Sequence, residues 1–356
     1  MTSEKTAIIF GVTGIAGRAI AERLLSDGKW QVIGVSRTPP EDLPGIEHIS
    51  VDLVDGAATR DALEGVRAEH LYFTTWTRNA TESENCRVNG LMLQNALESI
   101  AVAGSLRHAA LMTGLKHYLG SFEKYAETEI DTPFTEDMPR LPGDNFYYTQ
   151  EDVLFAASDK YGFTWSVARP HTVIGYAPGN VMNLGTSLAV YATLAKETGL
   201  PFLFPGSPQQ HNGLVDVTDA RLLAQHLIWE ADTPAAANTA FNVVNGDYFR
   251  WRKMWGRLAG YFDLPVAPYP GKATPLATLL KDVGPEWEAI VRRLDLKPNP
   301  VDRIAPFWHV DLDFGREQET IADMGLSRER GFLGYQRTTN SFFDLFDRLR
   351  AERIIP

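Results

Sequence analysis

Three glycines near the start of the chain are spaced for contact with phosphate groups. They lie in residues 7–18, Ala-Ile-Ile-Phe-Gly-Val-Thr-Gly-Ile-Ala-Gly-Arg, between a predicted strand and a predicted helix. Gly11 permits a tight turn, Gly14 lets the backbone approach a pyrophosphate, and Gly17 lets the helix pack closely. Loop glycines also occur without a ligand, but the N–H groups of a helix start at this place favour dinucleotide binding. The residues expected to contact the dinucleotide here are Gly11, Thr13, Gly14, Ile15 and Gly17.

The residues after the second predicted strand indicate which dinucleotide fits. Proteins that bind NAD place Asp or Glu there, about 20 residues beyond the loop, to hold the ribose 2′-hydroxyl. This chain has Ser36, Arg37 and Thr38 instead. A guanidinium pairs with a 2′-phosphate and hydroxyls donate hydrogen bonds to it, which predicts NADP(H), unless Arg37 is merely solvated. Asp52 and Leu53 follow the third strand and suit the amine and the face of an adenine ring.

A tyrosine hydroxyl is the group expected to act beside such a cofactor. When hydride is transferred to a carbonyl compound, an oxygen becomes negative and a phenol can donate a hydrogen bond to it. Tyr147 and Tyr148 open a predicted helix in Asn-Phe-Tyr-Tyr-Thr-Gln-Glu-Asp (145–152). Short-chain dehydrogenases carry a lysine four residues after the tyrosine, but here that residue is Glu151. A carboxylate disfavours the phenolate, which taken alone indicates a non-catalytic binding domain.

Lys116 is a substitute cation. It lies in Thr-Gly-Leu-Lys-His-Tyr-Leu-Gly (113–120), directly after the fifth predicted strand. Loops at the carboxyl ends of parallel strands line the ligand crevice, so Lys116 can reach a nicotinamide ribose and Tyr147 from the other side. The residues alone leave a solvated lysine and a tyrosine pair in the core as the alternative.

Alternating strands and helices position these residues. The predicted strands span 7–10, 31–35, 47–51, 70–74, 109–113, 164–168 and 241–244, and the predicted helices span 16–26, 82–103 and 147–160. This alternation predicts an α/β fold with a Rossmann-type doubly wound parallel sheet. The pattern stops beyond Pro170, although the last strand returns to the sheet. We therefore expect an NADP-binding domain over 1–175 with a returning segment near 209–245, and a smaller, interleaved C-terminal substrate domain mostly over 176–208 and 246–356.

Charge and cysteine content exclude several classes of protein. The 356 residues carry a net charge of −11, which argues against nucleic-acid partners and anionic membranes. No segment approaches the roughly 20 apolar residues of a spanning helix. Cys86 is the single cysteine, so an internal disulfide and a cysteine-rich zinc site are excluded. We expect a cytoplasmic enzyme without a bound metal.

Taken together, the motifs resemble the progesterone 5β-reductase/iridoid synthase-like family of extended short-chain dehydrogenases/reductases. The matching motifs are Gly-Val-Thr-Gly-Ile-Ala-Gly (11–17), Thr-Trp (75–76), 113–120, 145–152, Trp-Ser-Val-x-Arg-Pro (165–170), Phe-Asn-Val-x-Asn-Gly-Asp (241–247) and Gly-Phe-Leu-Gly (331–334). The displaced lysine is a specific mark of that family. The resemblance implies that NADPH reduces the C=C bond of an activated enone: a Δ4-3-ketosteroid, a small cyclic enone or an unsaturated dialdehyde. A homodimer is consistent with the resemblance.

The resemblance also implies roles for individual residues. Tyr147 and Lys116 occupy the catalytic positions, Tyr147 contacts the cofactor as well, and Arg37 binds the 2′-phosphate. Further cofactor positions fall on Thr75, Val173 and Asn180. Candidates for an apolar substrate pocket are Trp76, Met182, Phe307 and Trp308, of which the last two fit an ordinary core equally well. Two residues depart from the family pattern: Ser121 replaces a common proline, and Met112 stands where a polar cofactor contact can occur.

Two other functions stay open from the residues. An ordinary carbonyl reductase or nucleotide-sugar epimerase would need a Tyr-x-x-x-Lys helix, which Glu151 interrupts. A redox-sensing regulator would bind NADP without turnover, and the filled catalytic positions argue against it.

Overall fold

A parallel sheet with helices on both faces organises the first half of the chain. The computed structural model describes residues 5–40, 42–121 and 130–356, so residues 1–4 of the predicted first domain lie outside it. Within the described residues, seven parallel strands have the order β3-β2-β1-β4-β5-β6-β9. They are β1 (Lys5–Phe10), β2 (Trp30–Ser36), β3 (Glu47–Ser50), β4 (His70–Phe73), β5 (His108–Met112), β6 (Thr164–Pro170) and β9 (Thr239–Val243). The predicted α/β fold is confirmed.

Side chains alternate between the two faces of the sheet, as the period of a strand requires. In β1, Ala7 and Ile9 pack under one pair of helices, and Ile8 and Phe10 pack under the other pair. The helices of this half are α1 (Ile15–Asp27), α2 (Gly56–Ala62), α3 (Glu82–Ala101), α4 (Lys116–Leu119), α5 (Phe146–Tyr161) and α8 (Ala220–Asp232). Helices α1 and α8 cover the first face, and α3 and α5 cover the second.

The strand order reverses between β1 and β4: β2 and β3 are added to the sheet on one side of β1, and β4, β5, β6 and β9 are added on the other side. Such a switch point opens a crevice at the carboxyl ends of the strands. This strand order places the loop after β1, the loop after β4 and the start of α5 at the same end of the sheet. Gly11, Thr75 and Tyr147 therefore lie at the carboxyl edge of the sheet.

The second half of the chain builds its own core. Trp251, Trp255 and Trp287 are each 1% exposed within it. Its elements are β7 (Val173–Ile174), α6 (Leu184–Thr198), α7 (Pro208–Asn212), β8 (Thr218–Asp219), α9 (Trp251–Tyr261), α10 (Leu276–Leu279), α11 (Gly284–Arg293), α12 (Val301–Ile304), α13 (Phe307–Phe314), α14 (Gly325–Glu329) and α15 (Thr338–Ala351). A 3-10 turn at Pro234–Ala236 precedes β9. None of the helices in the described part of the chain has the length and apolarity needed to cross a membrane.

The two halves are interleaved, because the chain leaves the sheet after β6 and returns to it in β9. β9 pairs with β6 from Ser166–Thr239 to Pro170–Val243. The late residues Met324 and Phe332, in turn, pack with Leu115 beside the sheet and not in the C-terminal core. Part of the predicted substrate domain thus belongs to the packing of the first half.

Candidate active site

The glycine loop packs closely at the switch point. Gly11 has a φ of 89°, and a Cβ added to it would lie 2.9 Å from the Thr75 Cβ atom. A Cβ added to Gly17 would collide with the Gly11 carbonyl oxygen. Gly14 is the N-cap of α1 and has no side chain to cap the helix. An uncapped helix start of this kind is typical of a phosphate site.

Two residues from distant segments lie beside this loop. Thr75 follows β4 and faces Gly11, and a Cβ on Gly14 would lie 3.8 Å from the Asn180 Nδ2 atom. Asn180 also accepts a hydrogen bond from the Met182 N–H at 3.0 Å, which fixes the amide. The other predicted cofactor residues nearby are Thr13, which is half-buried, Ile15, which is buried, and Val173, which opens β7. The structure thus brings Thr75 and Asn180 to the glycine loop.

The ends of β2 and β3 present a different surface. The Ser36 hydroxyl donates to the Thr38 carbonyl at 2.8 Å and lies 2.9 Å from His48 Nε2. Arg37 is exposed, and its carbonyl accepts a hydrogen bond from Ser50 at 2.7 Å. The backbone of Arg37 is therefore fixed while its guanidinium faces solvent. Sequence reasoning missed His48, because nothing in its own segment distinguishes it.

The two predicted adenine contacts differ in exposure. Asp52 is exposed, and its carboxylate accepts a hydrogen bond from the Val54 N–H at 3.1 Å. Leu53 is 6% exposed and packs in the core, and its carbonyl accepts from Asn95 at 2.7 Å. Asp52 is the member of the pair that solvent reaches.

Helix α5 places Tyr147 at the carboxyl ends of β5 and β6. Asn145 caps the helix by accepting from the Tyr147 N–H at 3.1 Å, and its amide donates to the Lys116 carbonyl at 2.9 Å. A Cβ added to Gly114 would lie 3.3 Å from the Tyr147 hydroxyl and 3.1 Å from the Pro170 carbonyl oxygen. Burial, with a smaller contribution from the Glu82 charge, raises the pKa of the Tyr147 phenol. Tyr147 is therefore a neutral hydrogen-bond donor at physiological pH.

Lys116 is buried beside the tyrosine helix. It is 2% exposed, and its ammonium lies 2.5 Å from Glu82 Oε2 and 4.9 Å from the centre of the Phe146 ring. The Phe146 ring in turn lies 4.5 Å from the Tyr147 ring. Lys116, Phe146 and Tyr147 thus form one packed group. Sequence reasoning missed Glu82, since a glutamate in the first turn of a helix is common for purely helical reasons.

Glu151 has its own partners, away from this group. The buried carboxylate lies 2.8 Å from Arg140, 3.4 Å from Arg169 and 3.7 Å from His117. Burial favours a higher pKa for Glu151, but the nearby His117, the charge of Arg169 and the hydrogen bond from Arg140 outweigh it and lower the pKa. The residue in the usual lysine position is therefore an ionised structural anchor.

Tyr148 also has a structural role. Its hydroxyl donates to the His117 carbonyl at 2.6 Å and accepts from the Leu141 N–H at 2.9 Å. It is 8% exposed. Of the two adjacent tyrosines, Tyr147 faces the crevice side of Gly114 and Tyr148 faces the interior.

The four predicted pocket residues lie in different surroundings. Trp76 stacks on Phe146 at 5.2 Å, next to the packed group of Lys116, Phe146 and Tyr147. Met182 lies two residues beyond Asn180 and is half-buried. Phe307 is 7% exposed in the C-terminal core, whereas Trp308 is 37% exposed with the Arg78 guanidinium 5.3 Å from its ring. Their contact with substrate stays a prediction.

Asparagines of α3 hold the loop that carries Trp76. Asn89 accepts from the Thr77 N–H at 2.8 Å and donates to the Thr77 carbonyl at 2.9 Å. Asn85 accepts from the Asn79 N–H at 2.7 Å. Both asparagines are buried, and sequence reasoning did not single them out.

Comparison with known proteins identifies the family. The family described as "PRISE-like Rossmann-fold domain" matches residues 59–356. The chain belongs to this family. The predicted family resemblance is therefore confirmed.

Relatives in the PRISE-like family cover almost the whole chain. The (S)-8-oxocitronellyl enol synthase of Nepeta racemosa is 43% identical over 365 residues, which cover 99% of this chain and 94% of that protein. The 3-oxo-Δ(4,5)-steroid 5-beta-reductase of Arabidopsis thaliana is 41% identical, with the same coverage of both chains. A UDP-glucose 4-epimerase from Thermotoga maritima, solved with UDP-glucose, has a TM-score of 0.69 at 12% identity and covers 97% of this chain and 99% of that one. That structure agrees in fold alone.

The two departures from the family pattern flank the segment 113–120, which carries Lys116. Met112 is the last residue of β5 and is half-buried, and Ser121 is 5% exposed directly after α4. Neither replaces Tyr147 or Lys116.

Proposed function

We propose that this protein is an NADPH-dependent enone reductase, which reduces the C=C bond of an α,β-unsaturated carbonyl compound and retains the carbonyl. The observation that carries the proposal is the neutral Tyr147 hydroxyl beside Gly114, packed against the group that contains Lys116. The names of the relatives support it, since they describe an enol synthase and a steroid 5-beta-reductase.

The residues at the switch point fit a nicotinamide dinucleotide. The three glycines leave a close-packed loop at an uncapped helix start, where any Cβ at Gly17 would collide with backbone. Arg37 is exposed at the end of β2, where it would pair with a 2′-phosphate, and Asp52 would face the adenine. When bound, the reduced nicotinamide supplies a hydride. These features favour NADPH over NADH.

Tyr147 is the group that stabilises the developing charge. As the β-carbon is reduced, the carbonyl oxygen becomes an enolate oxygen, and the Tyr147 hydroxyl donates a hydrogen bond to it. Because the pKa of Tyr147 is raised, the hydroxyl keeps its proton and the α-carbon is protonated by solvent. Lys116 would hold the nicotinamide ribose, and the stacked rings of Trp76 and Phe146 exclude water beside it.

The alternative of ordinary carbonyl reduction is disfavoured by Glu151. In that reading a lysine on α5 lowers the pKa of the tyrosine so that it can transfer a proton. Here the corresponding side chain is engaged by Arg140, Arg169 and His117, and the pKa of Tyr147 moves in the opposite direction.

Product analysis with 2-cyclohexenone tests the proposed function. The purified protein is incubated with NADPH and the enone, and the products are separated by gas chromatography. We expect cyclohexanone. An allylic alcohol as the main product would contradict the proposal, and NADPH consumption without enone would indicate another activity. A parallel screen with Δ4-3-ketosteroids and unsaturated dialdehydes defines the substrate class.

A further inference from the structure

Glu82 makes three contacts that join the two catalytic elements. Its carboxylate lies 2.5 Å from the Lys116 ammonium, accepts from the Phe146 N–H at 2.8 Å, and accepts from Asn85 at 3.1 Å. Glu82 is only 7% exposed. A buried carboxylate is stable only where such partners surround it. The contacts therefore account for a charge that would otherwise be costly.

The place of Glu82 in α3 explains its reach. Thr81 caps the helix by accepting from the Glu84 N–H at 3.2 Å, so Glu82 is not needed as a cap. Further along α3, a Cβ on Gly90 would lie 2.9 Å from Thr149 Cγ2, which shows how closely α3 and α5 pack. The Glu82 side chain can therefore bridge from α3 to α4 and to the first residue of α5.

The bridge also balances charge inside the site. Lys116 and Glu82 form an ion pair without net charge, and the Phe146 ring covers the ammonium. If one partner loses its charge, the other is left buried and unpaired, whereas loss of both leaves no charge to compensate.

We propose that Glu82 is a positioning residue of this active site and acts through Lys116. Its carboxylate fixes the lysine ammonium and the start of the tyrosine helix in one geometry, and it cancels the lysine charge so that Tyr147 works as a neutral donor. The kinetic part of this inference rests on the proposed function. The part that concerns cofactor affinity rests on the NADPH binding proposed there, and the part that concerns stability does not.

A double-mutant cycle tests this role. Glu82→Gln keeps the shape and an acceptor for the Phe146 N–H but removes the charge, and Lys116→Met removes the ammonium. The third variant combines both substitutions. Glu84→Gln is the control, because Glu84 lies in the same helical turn with a side chain that is 43% exposed, and its ion-pair partner Arg87 also lies at the surface.

We expect Glu82→Gln to lower kcat on 2-cyclohexenone by about 10- to 100-fold, with little change in KM for the enone, as displacement of a positioned group does. NADPH should bind more weakly, as measured by fluorescence titration. The double variant should be no slower than Lys116→Met alone and should melt at a higher temperature than either single variant. Glu84→Gln should match the unaltered protein in every measurement.

Two results would overturn the inference. In the first, the fold reductions in kcat of the two single variants multiply in the double variant, because Glu82 would then act independently of Lys116. The other is a Glu82→Gln variant that matches Glu84→Gln in NADPH affinity and melting temperature. If Glu82→Gln does not fold but the double variant does, the pairing is supported. If the unaltered protein reduces no enone, only the proposed function fails, because NADPH affinity and melting temperature still test the pairing.

Discussion

At the scale of single residues, the adjacent tyrosines at the start of α5 have different contacts. Tyr147→Phe removes the proposed donor and should lower kcat on a weakly activated enone by about 10²- to 10³-fold. The affinity for NADPH should not change, because the hydroxyl acts in the transition state. With a strongly activated dialdehyde as the substrate, the same variant should show a smaller fall in kcat. Steady-state kinetics check this, with Tyr335→Phe as an exposed control. Normal turnover of both substrates would remove Tyr147 from the mechanism.

Tyr148→Phe should have the complementary effect. Its hydroxyl makes two buried hydrogen bonds, so its loss should lower the free energy of unfolding by about 1–3 kcal/mol while kcat is kept. Urea denaturation and kinetics on the same sample check both halves. Helical geometry alone predicts a nearly silent variant, because successive side chains point about 100° apart. That expectation concerns turnover and stays a prediction. The loss of stability follows only from the structure, since the pattern could not reveal the His117 and Leu141 partners.

Arg37 sets the expected cofactor preference. Arg37→Asp puts a carboxylate where a 2′-phosphate would lie, so the ratio of kcat/KM for NADPH to that for NADH should fall or invert. Arg67→Asp is the control, because it makes the same charge change at an exposed site before β4, at the opposite end of the strands. Equal kcat/KM values for both cofactors in the unaltered protein would contradict the assignment.

The family resemblance predicted Tyr147 and Lys116 as catalytic residues, which residue types alone left open, but neither predicted the groups that contact them. A tyrosine and a displaced lysine are visible in short motifs. Glu82 is not, because its contacts with Lys116 and Phe146 depend on the packing of α3 against α5. Likewise, Glu151 looked like a broken catalytic motif in the sequence, and only its contacts with Arg140 and Arg169 give it a role.

At the scale of elements, the first turn of α1 packs so closely on the loop after β1 that Gly17 leaves no room for a side chain. Gly17→Ala should abolish measurable NADPH binding and lower the melting temperature, since its Cβ would meet the Gly11 carbonyl oxygen. Gly256→Ala is the matched control: this glycine lies in α9 with nothing within 4 Å of an added Cβ. There alanine should stabilise the protein by about 0.5–1 kcal/mol. Tight NADPH binding by Gly17→Ala would refute the loop assignment.

The strands and long helices were predictable because hydrophobic periodicity marks them. The predicted helix 147–160 is found as Phe146–Tyr161, and the predicted helix 82–103 ends earlier, at Ala101. Helix α2 was not predicted, because Thr59 is its only buried residue and no apolar stripe marks it. The short helices of the second half were not predicted for a related reason. Their apolar residues pack into a shared core and show no helical period within each short segment.

At the scale of the whole molecule, buried histidines make the fold sensitive to acid. Burial lowers the pKa of His108 to about 3, and burial, opposed by the Asp232 charge, lowers that of His70 to about 4. The unfolded chain takes up these protons near pH 6.5 and the folded chain does not. Stability present above pH 6.5 is therefore lost as the pH falls towards 4, by up to about 1.4 kcal/mol per pH unit for each histidine.

Urea denaturation between pH 7.5 and 5.5 measures this loss. His108→Gln should reduce the slope, because a glutamine can hydrogen-bond to Thr164 and Ser166 without titrating. The His48→Gln change, at a half-buried histidine of the edge strand β3, serves as a comparison for general effects of losing a histidine. An unfolding free energy that does not change across this range would show that neither buried histidine resists protonation.

The return of the chain to the sheet in β9 has a consequence for biosynthesis. The ribosome synthesises β6 before residues 171–238 and before β9. One edge of β6 therefore stays without its β9 partner while much of the C-terminal core is synthesised. During that interval the nascent protein carries an open strand edge, the kind of surface that neighbouring chains capture. A chain cut after residue 175 would keep that edge permanently. The cofactor-binding half should therefore aggregate when it is made alone, and the enzyme is obliged to mature as one unit.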